Sequence, residues 1–171
     1  VEVIRGIPLL VQIFYIYFAL SRIVVLGPYP SAVIGLAVCY GAYIGEIIRA
    51  GIQAIPKGQW EAARSLGMTA GQAMRHIVLP QAVRTVLPPI GNEFTALLKD
   101  SSLVSILAIS DLLRRGREYA SRTFQDFETY TMVALVYLFM TLIFSRVVSY
   151  IEQGMAVESR EEGPPRFMHR L

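Results

Sequence analysis

Charge is scarce in this 171-residue sequence: Asp, Glu, Lys and Arg together make up 17%, where soluble domains carry about 25%. The scarcity is patterned. No charged residue lies between Ile7 and Ser21, between Ile23 and Gly45, or between Thr129 and Ser145, and uncharged apolar runs of this length approach what a bilayer span requires. A net charge of +3 on such a chain argues against nucleic-acid binding. Cys39 is the single cysteine, so no disulfide scaffold can form within the chain. Only two histidines are present. His76 has no second His, Cys or carboxylate at ligand spacing, so no metal site is expected. Ser101, Ser102 and Ser105 find no Ser/His/Asp arrangement, the other histidine being His169 near the C-terminus. There is no GxxxxGK[ST] phosphate loop, so any ATP must be handled by another polypeptide. A basic n-region with a small-residue cleavage site is lacking too, and the chain opens on Val1. It reads as the C-terminal part of a longer membrane protein.

What is present organises as four apolar segments. Residues 1–20 make about 30 Å of helix, with Arg5 snorkelling to the interface and Pro8 in the first half. Residues 21–30 read as a loop, because Gly27-Pro28-Tyr29-Pro30 disfavours helix continuation. A second span covers 31–48, with Gly35, Gly41 and Gly45 admitting close helix approach and Glu46 paired with Arg49 at its end. Residues 49–76 carry Arg49, Lys57, Arg64 and Arg75 against Glu61 alone, which places this loop in the cytoplasm. The third span, 77–98, is interrupted by Pro80, Pro88, Pro89, Asn92 and Glu93 and is expected to be broken, sheltered by protein or lining a path. Residues 101–128 then fall outside, and 130–150 is the cleanest span. Residues 1–155 form the transmembrane domain, and 156–171 a disordered cytoplasmic tail. No internal repeat is found.

Residues 57–72 describe two short helices with a hinge. Glu61, Ala62, Ala63, Arg64 and Leu66 favour helix, Gly67 suits a left-handed terminator, and Thr69 with Gln72 makes a capping box for a helix entering the third span. On the residues alone, this is an interfacial helix with a topological role.

Glu61-Ala62-Ala63, then Gly67, then Ile77, Leu79 and Pro80 resemble the EAA signature of the membrane subunits of bacterial ABC importers, seven specified positions within 20 residues. The segments 5–12, 41–51, 91–94 and 98–103 resemble the polar amino acid branch, the glutamine, arginine and histidine permeases. The likeness covers about 1–155. It implies an all-α, polytopic helical bundle in the bacterial cytoplasmic (inner) membrane, lacking one N-terminal span here. It implies a transport subunit rather than an enzyme, moving polar amino acids inward by alternating access. The implied partners are ABC ATPase subunits that bind ATP and Mg, a second permease (identical or homologous), an extracytoplasmic solute-binding protein and membrane lipid. Glu61, Ala62, Ala63, Gly67, Ile77, Leu79 and Pro80 become the coupling contact with the ATPase.

Asn92 and Glu93 are the candidate substrate path, because an ionisable group at membrane depth by default faces a cavity; pairing with a neighbouring helix is the plainer role for Glu93. Lys99 and Asp100 read as an outer-end salt bridge, and Gln12 and Glu46 as structural. Phe14, Tyr15, Tyr17 and Phe18 read as packing and interface anchors. Arg114, Arg115 and Arg117 are expected to pair with Asp111 and Glu118. A permease for another small solute, an ATPase-independent channel or secondary transporter, and a membrane scaffold or signalling subunit are the alternatives; the EAA match disfavours an ATPase-independent system.

Overall fold

The computed structural model describes residues 1–161, with side chains through Gly154. Among these residues every element is helical. The expected first span is not one helix. It divides into α1 (Glu2–Gly6) and α2 (Leu9–Phe14), separated at Ile7, which is extended at φ −101°, ψ 128°. Pro8 has no N–H to continue the ladder and disfavours helical geometry in the residue before it. Past Phe14 the helix loosens into a π turn, Tyr15–Ala19, then tightens into a 3-10 turn, Leu20–Arg22.

The expected 21–30 loop is shorter than read, because α3 spans Pro28–Gln53 and takes both prolines into its first turn. There the first N–H groups have no intrahelical partner, so a missing donor costs little. At 26 residues, α3 is about 39 Å long. It packs against α2 where Gly35 meets Ile13: a Cβ on Gly35 would lie 3.3 Å from the Ile13 Cα. Ile13, Ala32, Val104 and Leu107 form the core at this end of the bundle.

Two short helices follow, α4 (Lys57–Ser65) and α5 (Ala70–Ala73), the latter continuing through a π turn, Met74–Val78. The expected break in the third span does not occur: α6 runs without interruption over Leu79–Asp100, through Pro88 and Pro89. Each proline forfeits one ladder bond, and close packing of its flanks keeps the helix whole. Gly51 of α3 lies against Val86 with no room for a Cβ, and neither is there room for one on Gly91 of α6, which lies against Val148.

Antiparallel pairing of α3 and α6 puts Asp100 beside Tyr40, near the middle of α3, with the Tyr40 hydroxyl donating to Asp100 Oδ2 at 2.8 Å. Residues Ser101–Leu107 then form a 3-10 segment whose Val104, Ser105 and Leu107 are buried. Val104 and Leu107 thus belong to the core with Ile13 and Ala32, so the stretch after residue 100 begins as packed bundle and not as an open loop. Residues 111–128 hold a helix that the sequence reading lacked, α7 (Leu112–Thr123), capped by Asp111, whose carboxylate accepts from the Arg114 N–H at 2.9 Å. The final helix, α8, extends over Asp126–Glu161, beyond the expected 150 and into the segment read as a disordered tail; residues 162–171 of that tail lie outside the described residues. Within the described residues, Pro28–Gln53 and Asp126–Gly154 are the two helices long and apolar enough to cross a membrane by length and composition.

Candidate functional site

Two regions bring the sequence-derived candidates together. The first is the 57–80 segment. Helix α4 closes with the Gly67 N–H donating to Arg64 O at 2.9 Å and the Met68 N–H to Ala63 O at 3.2 Å, the paired bonds of a glycine-terminated helix. Gly67 is left-handed at φ 80°. Thr69 and Gln72 make the expected capping box: Gln72 Oε1 accepts from the Thr69 N–H at 2.9 Å and Thr69 Oγ1 from the Gln72 N–H at 3.3 Å. A nine-residue helix is too short to persist alone in water. What holds α4 is Trp60, packed on the cluster of Ile55, Val78 and Ala82.

That anchoring sorts the seven motif residues. Ala63 lies one turn from Trp60 on the same face and is only 3% exposed, so it packs against its own chain. Its expected role as a direct ATPase contact is corrected. Glu61 and Ala62 are exposed, and Leu66 is 83% exposed. Leu79 and Pro80 are exposed and Ile77 is half-buried, while the unspecified residue between them, Val78, is fully buried. The segment therefore enters the core through Trp60, Ala63 and Val78 and presents Glu61, Ala62 and Leu66 outward. The sequence reading takes Leu66 only as a helix former; the signal for its exposure is an apolar residue beside a helix terminator. His76 hydrogen-bonds through Nδ1 to Gln72 O at 3.0 Å. No cluster of metal-ligating side chains occurs among the described residues.

The second region is a cavity of about 450 Å³ between α1, α3 and α6, lined by Arg5, Tyr40, Tyr43, Glu93, Asp100 and the backbone turn Gly6–Pro8. Of the two candidate path residues it takes Glu93 and leaves Asn92, which is exposed and outside the lining; neighbours on a helix point about 100° apart. Asp100 is here and not in an outer salt bridge with Lys99, because adjacent helical residues do not face each other and Tyr40 takes its carboxylate. Arg5 does not snorkel outward: the Ile7–Pro8 break turns α1 so that the guanidinium sits 4.9 Å from the Tyr43 ring centre, a cation–π contact. The cavity thus sets one fixed cation against two carboxyl groups, with two tyrosines between them. The sequence signal for it was Gly6 and Pro8 interrupting an apolar segment, the mark of a discontinuous helix near a membrane binding site. Elsewhere Arg49 pairs with Glu46 as expected, and of the pairing expected among Arg114, Arg115, Arg117, Asp111 and Glu118 the Arg114–Glu118 bridge forms at 2.8 Å, while Asp111 caps α7 and Arg115 Nε donates to Ser110 Oγ at 3.2 Å.

Residues 1–157 match the family described as binding-protein-dependent transport system inner membrane component. The chain is 45% identical over 156 residues to a probable glutamine ABC transporter permease protein, GlnM, of Bacillus subtilis, covering 91% of this chain and 72% of that protein. It is 37% identical over 160 residues to the glutamine transport system permease protein GlnP of Escherichia coli, covering 92% and 73%. To the L-cystine transport system permease protein TcyB of Bacillus subtilis it is 42% identical over 157 residues, covering 91% and 67%. Among solved structures it superposes on an amino acid ABC transporter crystallised with histidines, at TM-score 0.85 and 47% identity over 89% of this chain and 72% of that one. A methionine ABC transporter in an inward-facing conformation shares the fold at TM-score 0.77 and 19% identity, over 90% and 71%.

Proposed function

Because the chain belongs to the binding-protein-dependent family of inner-membrane ABC transporter permeases, a transport subunit and not itself an enzyme, we propose that it carries polar amino acids through the cavity between α1, α3 and α6. The observation that carries this reading is the charge layout of that cavity. A zwitterion needs a cation for its carboxylate and an anion for its ammonium. Arg5 supplies the first, Glu93 and Asp100 the second, and Tyr40 and Tyr43 offer aromatic and hydroxyl contacts to the side chain. The site lies near the middle of α3, where charges are costly unless they serve a solute or one another.

The same reading assigns the remaining parts. ATP and Mg belong to separate ATPase subunits, which dock on the outward face of α4 through Glu61, Ala62 and Leu66. Gly67 sets the angle at which α4 leaves, and the Ile77–Pro80 segment passes its displacement into α6. A second permease subunit and an extracytoplasmic solute-binding protein complete the importer. Relatives named for glutamine and L-cystine favour polar amino acids as the class carried.

The test is uptake of labelled L-glutamine, L-arginine, L-histidine and L-cystine into vesicles holding the whole importer. Glu93→Gln removes one charge-assisted hydrogen bond, about 1.5 to 3 kcal/mol, and is expected to lower uptake about ten- to a hundred-fold or to change the order of preference, with assembly intact. An unchanged rate and order would leave Glu93 a packing partner and remove the cavity from the path.

A further inference from the structure

The break before Pro8 leaves the last carbonyls of α1 without ladder donors, those of Ile4 and Ile7 among them. In an uninterrupted helix Ile4 O accepts from the N–H of residue 8, and Ile7 O from that of residue 11. Residue 8 is a proline and has no N–H. The Val11 N–H is taken by Pro8 O at 2.9 Å, and Ile4 O keeps only a long bond of 3.4 Å from the Ile7 N–H. One side chain fills both places: Gln12 Nε2 donates to Ile4 O at 2.8 Å and to Ile7 O at 2.8 Å. A carboxamide nitrogen has two hydrogens, so its donor capacity is used in full. Glutamate at this position would aim oxygen lone pairs at the same carbonyls, and asparagine is one methylene shorter.

The two ends of this tie differ. Gln12 is 9% exposed and stands beside the fully buried Ile13, where α2 is pressed on Gly35 of α3. Helix α1 has no buried residue, and Ile4, which Gln12 grips, is the neighbour of Arg5.

Resting on the cavity reading above, we propose that Gln12 is the positioning residue that holds Arg5 over the cavity and so sets the affinity for the amino acid carboxylate. Gln12 does not line the cavity. It acts through α1, which the two carboxamide bonds tie across the break to the buried helix α2.

The experiment measures equilibrium binding of labelled L-glutamine, L-arginine, L-histidine and L-cystine to the permease–ATPase complex in lipid nanodiscs, without the binding protein. Wild type, Arg5→Gln, Gln12→Met, Gln12→Glu and the double variant Arg5→Gln/Gln12→Met are compared. Arg5→Gln and Gln12→Met are each expected to raise Kd about tenfold or more, the scale of one charge-assisted contact. The double variant is expected to match Arg5→Gln alone, because the two residues act as one unit. Gln12→Glu is expected to weaken binding at least as much as Gln12→Met. Wild-type Kd in both Gln12 variants, or fold effects that multiply in the double variant, overturns the positioning role while a weakened Arg5→Gln keeps the cavity reading. A Gln12→Met protein that fails to reach the membrane also overturns it, by making the tie a requirement of folding. Wild-type Kd for all four amino acids in Arg5→Gln instead removes the cavity reading itself.

Discussion

Ala63 and Leu66 stand three positions apart on the same short stretch and meet opposite environments, one 3% and the other 83% exposed. Helical spacing alone does not explain this, since residues three apart share a face. Leu66 is the C-cap, its N–H still bonded to Ala62 O at 3.2 Å, and the left-handed Gly67 then turns the following chain, so Leu66 is left at the exposed end of α4. The difference is testable. Ala63→Asp buries a carboxylate without a partner, a cost of about 2 kcal/mol or more, and is expected to lower the melting temperature and the yield of inserted permease. Leu66→Asp lies in the open, where substitutions usually stay within about 0.5 kcal/mol; it is expected to leave melting unchanged and to reduce ATPase co-purification. Equal melting of the two proteins would mean that α4 is not docked as described.

At the scale of elements, α3 and α6 approach as closely as they do because Gly51 has no side chain. A Cβ there would overlap the Val86 side chain. Gly51→Ala is expected to destabilise by about 1 to 3 kcal/mol through overpacking, seen as a lower melting temperature in detergent, and Val86→Ala in the same protein is expected to recover most of the loss. No recovery would place the strain elsewhere. This contact matters for the site, because the register that seats Gly51 on Val86 also brings Asp100 to Tyr40 and Glu93 to the cavity. The prolines of α6 are accommodated in the same way. Local rules disfavour Pro88 and Pro89 in a helix interior, and the packing of Gly51 and Gly91 on their neighbours outweighs the two lost bonds.

For the whole molecule, the charge asymmetry of the loops predicts a cytoplasmic 49–76 segment and an external turn near Ser21. Single cysteines at Ser65 and Ser21, in a Cys39→Ala background, are expected to label differently with an impermeant maleimide on intact cells: Ser21→Cys reacts and Ser65→Cys does not. The reverse pattern would invert the chain in the membrane and turn the face of α4 away from any cytoplasmic ATPase. Much of α8 lends itself to such a setting, since Leu135, Leu138, Phe139, Leu142 and Phe144 are all exposed and an apolar face of this extent calls for lipid or a partner.

The sequence by itself determined the class of molecule, the all-helical architecture, the hinge at Gly67 and the capping box at Thr69. Each of these follows from composition or from interactions reaching no further than five residues along the chain, and the seven motif residues were enough to point to the family. Only tertiary structure decided which of those residues face inward, that α6 stays whole through Pro88 and Pro89, and that Arg5, Tyr40, Tyr43, Glu93 and Asp100 share one cavity. These residues are up to 95 positions apart, and what brings them together is the register between α3 and α6 and the turn of α1 at Pro8. Registers are set by packing over whole helices, with glycines seated against specific partners, so no local pattern around any one of these residues announces the site.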